Sequence, residues 1–253
     1  METVRQHREF MKSNFAALRG VRSDQSRGLP QPPLQLPCPQ DAEVMRLPAV
    51  NPSVVTQRDV YQCLRDRRSH REYADANLTA EELSFLLWAT QGVKKATDNG
   101  YCTFRPVPSA GARHPFETYL VLGRVDGIEP GVYRYLPLTH ELLLRFRDRH
   151  AMNKIARAAC DQAFLAQSAA VFVWSCVPYR GEWRYHLAAH KAMLIDAGHV
   201  CQNLYLACEA VRCGTCAVAA YDQDAVDSLL RLDGGDEFVV YLAPVGRKRE
   251  DAT

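Results

Sequence analysis

The chain has no apolar run approaching the ~20 residues needed to cross a bilayer. Its first residues, Met1 to Arg8, are charged and carry no apolar signal core. A cytoplasmic protein is therefore expected. Charge of one sign is also lacking: the formal balance of +2 is too small to argue for nucleic acid or a membrane surface. Cys213-Gly214-Thr215-Cys216 has no second CxxC or CxxH to complete a zinc site, so no metal site is expected. The nine cysteines form an odd set, several of them inside apolar segments, which reads as reduced core thiols rather than a disulfide framework. No repeat of about 20–50 residues is present, and no catalytic triad or paired-carboxylate signature stands out. What remains is a chain of 253 residues, long enough to bury a sizeable core.

Residues 1–54 differ from the rest. A possible short helix near Val4 to Leu18 precedes Asp24 to Pro37, where four prolines and a glycine forbid helix or central strand and favour an extended path. This segment reads as an arm lying along another surface. A domain of residues 55–253 follows. A helix is expected through Gln57 to Asp66, and Thr79-Ala80-Glu81-Glu82 forms a capping box that opens another. Strands are expected at Thr118–Leu122, Val132–Tyr135, Leu142–Phe146, Ala170–Val177 and Phe238–Pro244. Ala170 to Val177 is apolar almost throughout, as suits a central strand covered on both faces. From Tyr185 to Arg212, Leu194, Ala197, Cys201, Leu204, Cys208 and Val211 recur at steps of three and four, while Ile195, Gly198, Tyr205 and Leu206 make the neighbouring face apolar too. A helix apolar on most sides is buried, at a domain centre or across a dimer seam. The fold class is α+β, a mixed sheet with helices packed around it.

Four stretches can carry chemistry. In Arg67-Arg68-Ser69-His70-Arg71, three guanidiniums suited to paired hydrogen bonds with phosphate surround a hydroxyl; a solvated basic turn after a helix is the alternative. Pro108-Ser109-Ala110-Gly111-Ala112-Arg113-His114-Pro115 leaves main-chain N–H groups unshielded and runs into an apolar strand; it is either a ligand-covering loop or an ordinary turn. Gly214 to Asp222 is composed of residues small enough to form a wall for a planar ring, or to pack at a sheet edge. The final strand ends in Pro244-Val245-Gly246-Arg247, placing a cation beyond a strand end.

These four segments, together with Asp196 to Leu206, occur in the order and spacing of the FMN-dependent nitroreductase family, and the chain most resembles its SagB-type dehydrogenase branch. The likeness covers about residues 55–249. It implies a nitroreductase-like fold, with a mostly antiparallel central sheet surrounded by helices, in an interlocked homodimer holding two FMN molecules at the interface. By the same resemblance Arg67, Arg68, Ser69 and Arg71 hold the FMN phosphate and ribityl chain. Pro108, Ser109, Ala110 and Gly111 cover the flavin of the other subunit. Ala219 and Ala220 face its N5 side, and Arg247 is a phosphate contact. The implied activity is ping-pong hydride transfer through flavin N5 to or from a small organic or peptide-derived substrate, with NADH or NADPH as a reductant.

Azoline oxidases of that branch carry a Lys-Tyr pair after the strand matching Ala170–Val177. Here the segment reads Val177-Pro178-Tyr179-Arg180-Gly181-Glu182-Trp183-Arg184-Tyr185, without that pair, and Arg is a poor general base. Thiazoline or oxazoline oxidation is disfavoured accordingly. His114, Tyr179 and Tyr185 are the candidate catalytic residues; His199 reads more simply as a satisfied core histidine, and Lys191 as a cap on helix packing or a solvent-facing side chain. Two other classes stay open: a non-catalytic or partner-dependent flavoprotein subunit, favoured by the arm, and a thiol-redox protein using Cys213 and Cys216.

Overall fold

The computed structural model describes residues 2–13 and 15–249. Its centre is a seven-stranded sheet: β1 (Val44–Arg46), β4 (Phe116–Leu122), β5 (Gly131–Leu136), β6 (Glu141–Arg147), β7 (Ala170–Cys176), β8 (Cys213–Thr215) and β9 (Phe238–Arg247) lie in the order β1-β6-β5-β4-β7-β9-β8. A separate hairpin joins β2 (Lys95–Ala96) to β3 (Thr103–Phe104). Every pairing between these strands is antiparallel.

The period-two pattern of the middle strands explains the layers. Leu120, Leu122, Phe172 and Trp174 face one way, onto α3 (Ala80–Gln91) and α7 (Ala189–Ala210). Tyr119, Val121, Val171 and Val173 face the other, onto α4 (Ala151–Ala158), α5 (Phe164–Gln167) and α8 (Gln223–Leu230). Both faces of β7 are thus buried, which is why its sequence is apolar apart from Ser175.

The expected Thr79 capping box is present: Thr79 Oγ1 accepts the Glu82 amide at 3.1 Å and Glu82 returns the contact to the Thr79 amide at 2.9 Å. The helix expected from Gln57 begins later, as α2 (Val60–Asp66), because Asp59 is its N-cap and accepts the Tyr61 and Gln62 amides. Two readings are corrected. The helix expected over Tyr185–Arg212 is split into α6 (Tyr179–Tyr185), a 3₁₀ turn (His186–Ala188) and α7, with His186 at a left-handed φ of 49°. Near the amino terminus, α1 covers Glu2–His7, and separate 3₁₀ turns at Arg8–Met11 and Phe15–Leu18 replace a continuous helix to Leu18. Within residues 1–54, Val44–Arg46 adds an edge strand to the main sheet, while residues 28–37 run extended over the domain surface.

Candidate functional site

The guanidinium segment leaves α2 and is laid flush against β8. The His70 amide donates to the Thr215 carbonyl at 2.9 Å, and a Cβ on Gly214 would come within 2.7 Å of His70 Cβ, so glycine is required there for this approach. Tyr73, bridged to Lys248 beside β9, donates its hydroxyl to the His70 carbonyl at 2.8 Å. Beneath the segment, Glu209 of α7 is buried and pairs with Lys248, with His70 Nε2 3.9 Å away.

Tyr205, on α7, joins this segment to the small-residue wall. Its hydroxyl accepts the Ala217 amide at 2.8 Å and lies 2.9 Å from Ser69 Oγ, and the Arg67 guanidinium stands 5.3 Å from its ring centre. Arg71 reaches over the ring of Phe164, 5.9 Å from its centre, and Arg68 is exposed. Past Ala217, Val218 pairs with Leu242 of β9, leaving Ala219 and Ala220 exposed, with the Ala220 carbonyl held by Gln162 at 2.8 Å. The structure therefore brings Arg67, Arg68, Ser69 and Arg71 to one end of a wall formed by Gly214 to Ala220.

This set fits an anionic nucleotide with a planar ring. Guanidiniums and a hydroxyl stand at one end, and exposed main chain without bulky side chains continues from it. Arg247 does not face it. Its guanidinium bonds both Glu82 oxygens at 2.8 and 2.7 Å and the Val211 carbonyl at 3.0 Å, tying β9 to the N-terminus of α3.

The Pro108–Pro115 loop lies elsewhere. The Ala110 amide donates to the Asp196 carboxylate at 3.0 and 3.2 Å, and burial raises the pKa of that carboxyl. Asp196 and Tyr205 are nine positions apart, about 14 Å along α7 at about 1.5 Å per residue. Gly111 adopts a φ of 60°, and a Cβ there would collide with the Tyr185 hydroxyl. Pro108 is exposed; Ser109, Ala110 and Gly111 are half-buried.

Among the candidate catalytic residues, His114 is 4% exposed, with Nε2 3.2 Å from the Thr103 carbonyl and its amide donating to Ser109 Oγ at 2.9 Å. Burial, reinforced by the Arg105 charge, lowers its pKa to about 3, so the imidazole is neutral at physiological pH. Tyr179 is 40% exposed and donates to Asp24 at 3.1 Å; loss of solvent and this bond raise its pKa. Tyr185 closes α6, with its ring edge-on to Phe15 at 6.2 Å. All three lie on the loop's side of α7, away from the guanidinium segment.

Several partners escaped sequence reasoning. Tyr205 falls on the apolar face of its helix, where a phenol signals a buried hydrogen bond. Gln162 precedes, and Phe164 opens, the four-residue helix α5, which is too short to show a pattern of its own. The thiols of Cys213 and Cys216 are buried with raised pKa values, the former at about 12, chiefly through loss of solvent. A reactive dithiol needs the opposite shift.

Among the described residues, no helix is long and apolar enough to cross a membrane. The chain matches the Nitroreductase family over residues 64–247. A Methanocaldococcus jannaschii protein provisionally named a nitroreductase is 36% identical over 184 residues, covering 73% of this chain and 88% of that protein. The trifolitoxin-processing protein TfxB of Rhizobium leguminosarum is 28% identical over 182 residues, 65% of this chain but only 46% of the relative. Three solved structures share the fold. A provisionally named nitroreductase of Ralstonia eutropha superposes with a TM-score of 0.66 (23% identity; 88% of this chain, all of that one). A chain of the Escherichia coli microcin synthetase McbBCD complex gives 0.62 (18% identity; 85% and 79%). The NADPH:FMN oxidoreductase of Vibrio harveyi gives 0.54 (16% identity; 76% and 70%). The family match spans the guanidinium segment, the loop, α7, the small-residue wall and the end of β9, and on that ground this chain is a member of the nitroreductase family.

Proposed function

We propose that this protein is an FMN-dependent oxidoreductase of the SagB-type dehydrogenase kind, working by ping-pong on a small organic or peptide-derived substrate. The observation that carries the reading is the Tyr205 junction, where a guanidinium-bearing segment and the small-residue wall meet through one hydroxyl. Arg67, Arg68, Ser69 and Arg71 would hold the phosphate end, and Ala219 and Ala220 would offer main-chain groups to the ring. FMN, when bound, supplies hydride acceptance and donation at its N5. The chain's own part is to orient the ring, place cationic and N–H groups where negative charge develops, and exclude water from the exposed face.

The separation along α7 favours a homodimer. One chain cannot bring its loop over a ring held some 14 Å further along the same helix, whereas a partner's loop can. Leu194 and Ile195, about half exposed on α7, stand with Gly198, His199 and Gln202 as the surface for such a seam. Pro108, Ser109, Ala110 and Gly111 would then cover the partner's flavin, anchored through Asp196. His114 fixes the loop from beneath. Tyr179, whose phenol stays protonated, and Tyr185 are the groups on that side able to donate a proton.

The chemistry of Arg180 argues against azoline oxidation: its guanidinium bonds Glu117 at 2.5 Å and the Pro33 carbonyl at 2.9 Å, leaving it no part as a base. A partner-dependent flavoprotein subunit is the second reading, favoured by the likeness to a chain of the microcin synthetase complex. Anaerobic mixing of the flavin-loaded protein with NADH, NADPH and azoline-containing peptides tests all of these. Rapid bleaching by a nicotinamide nucleotide supports the reductase, and bleaching only by peptide restores azoline oxidation. Failure to bind FMN refutes the proposal.

A further inference from the structure

A cavity of about 690 Å³ lies between the C-terminal end of β7, the start of β9 and the first half of α7. Phe116, Cys176, Met193, Phe238 and Val240 make it apolar. Its third wall is supplied by the arm, through Phe10, Pro32 and Pro33, which stand outside the segment matching the family. This wall is built rather than incidental. The Pro33 carbonyl is held by Arg180 Nε at 2.9 Å, and Arg180 is clamped by Glu117 at 2.5 Å, both side chains being 2–3% exposed. Glu117 also accepts the Leu36 amide at 2.9 Å, and Arg134 donates to the Leu36 and Pro37 carbonyls at 3.1 and 2.7 Å. Trp183 Nε1 secures the Leu29 carbonyl at 3.0 Å. A buried ion pair gains little stability over an apolar replacement; here it sets the position of an otherwise pattern-free segment.

The charge on the lining defines what the cavity admits. Among the described residues no Lys or Arg lines it. Its charged groups are Glu182 and Asp236, with His190 Nε2 2.6 Å from the Glu182 carboxylate. An anion entering would lose water and meet carboxylates without a compensating cation. An uncharged apolar molecule loses nothing, and an amine gains Glu182. The volume lies within the range of small-molecule sites.

We infer that the arm completes a binding compartment for a neutral or cationic apolar molecule, such as an aryl-alkyl amine or the apolar side chain of a peptide. Placing that molecule next to a flavin rests on the proposed function, because the cavity shares the loop's side of α7. A nicotinamide nucleotide, carrying phosphates, would bind outside this compartment.

Calorimetric titration of the protein near neutral pH with phenylbutylamine, phenylbutanol and phenylbutyrate tests this. The amine and alcohol are expected to bind with Kd below about 1 mM, and the carboxylate about tenfold more weakly or not at all. Val240→Trp, which fills the cavity, should abolish binding, and Phe10→Ala, at an arm position 46% exposed, should weaken it about threefold or more. Glu182→Gln should bring amine and carboxylate to within about threefold of each other. Equal binding of carboxylate and amine by the unaltered protein, no binding of any of the three, or unchanged binding by the folded Phe10→Ala variant would overturn the inference. FMN titration of the same samples separates the two ideas: amine binding without FMN binding ends the flavin reading and keeps the compartment, and the reverse result does the opposite.

Discussion

The Tyr205 hydroxyl accepts the Ala217 amide at 2.8 Å while lying 2.9 Å from Ser69 Oγ, so one atom on α7 sets the spacing between the guanidinium segment and the small-residue wall. Tyr205→Phe removes that atom and keeps the ring on which Arg67 stacks. The Ala217 amide then loses its partner, at a cost of about 1–3 kcal/mol if it stays buried. We expect FMN affinity to fall about fivefold to tenfold, with a smaller change in melting temperature, read by quenching of flavin fluorescence. Unchanged affinity would show that the two segments are held independently.

Arg71, at the end of the cluster, should act differently from Arg247. Arg71 is exposed apart from its stacking on Phe164, and its charge is free to meet a phosphate. Arg247 already spends its donors on Glu82 and Val211. Arg71→Gln is therefore expected to weaken FMN binding about tenfold and to flatten its salt dependence. Arg247→Met should instead lower stability by about 1–2 kcal/mol, the side chains of the pair being 27% and 12% exposed, while leaving affinity of the folded protein within about threefold. Denaturant melts and FMN titrations on both variants check the contrast.

His114 carries a pH signature. Its folded pKa is depressed to about 3 by burial and the nearby Arg105 charge, against about 6.5 for an unfolded histidine. Between those values the unfolded chain binds the extra proton, so stability is lost as pH falls from about 6.5 towards 3. His114→Gln should shallow that loss, seen as a smaller drop in melting temperature between neutral and acidic buffer. Because the ring is sealed against Thr103, the same variant should reduce flavin at a rate within about threefold of the parent. A loss of about a hundredfold or more would restore His114 as a catalytic residue.

How much of this was legible follows from which residues act locally. The capping box, the central strand and the guanidinium segment are written in neighbouring positions, and their periodicity or charge is visible without a fold. The split between α6 and α7 is not: Tyr185 to Ala189 contains no Pro or Gly, and the turn at His186 is imposed by tertiary packing. β8 was hidden because three residues, all inside a CxxC motif, have no pattern; only pairing of Cys213 with Arg247 and Gly214 with Gly246 makes them a strand. The engagement of Arg247 depends on Glu82, 165 positions away, and the sealing of His114 on Thr103 and Arg105. In each case a residue type announced a chemistry, and a distant partner decided whether it was available.

The proposed dimer seam can be tested at Leu194 and Ile195. Leu194 and Ile195 are 49% and 51% exposed on the longest helix of the chain, whose remaining faces are covered by α3, α6 and the sheet. Burying an apolar side chain of this size is worth about 1.5–3 kcal/mol, and a two-fold interface would count each substitution twice. Ile195→Asp should therefore convert a dimer to monomer at micromolar concentration, measured by light scattering after size exclusion. If each flavin is covered by the partner's Pro108–Gly111 segment, the monomer must also release FMN, although Arg67, Arg68 and Arg71 are untouched. A monomer that retains FMN with full affinity would place the covering loop on the same chain as the phosphate site, against the separation along α7. A dimer that survives the substitution would move the seam to another face.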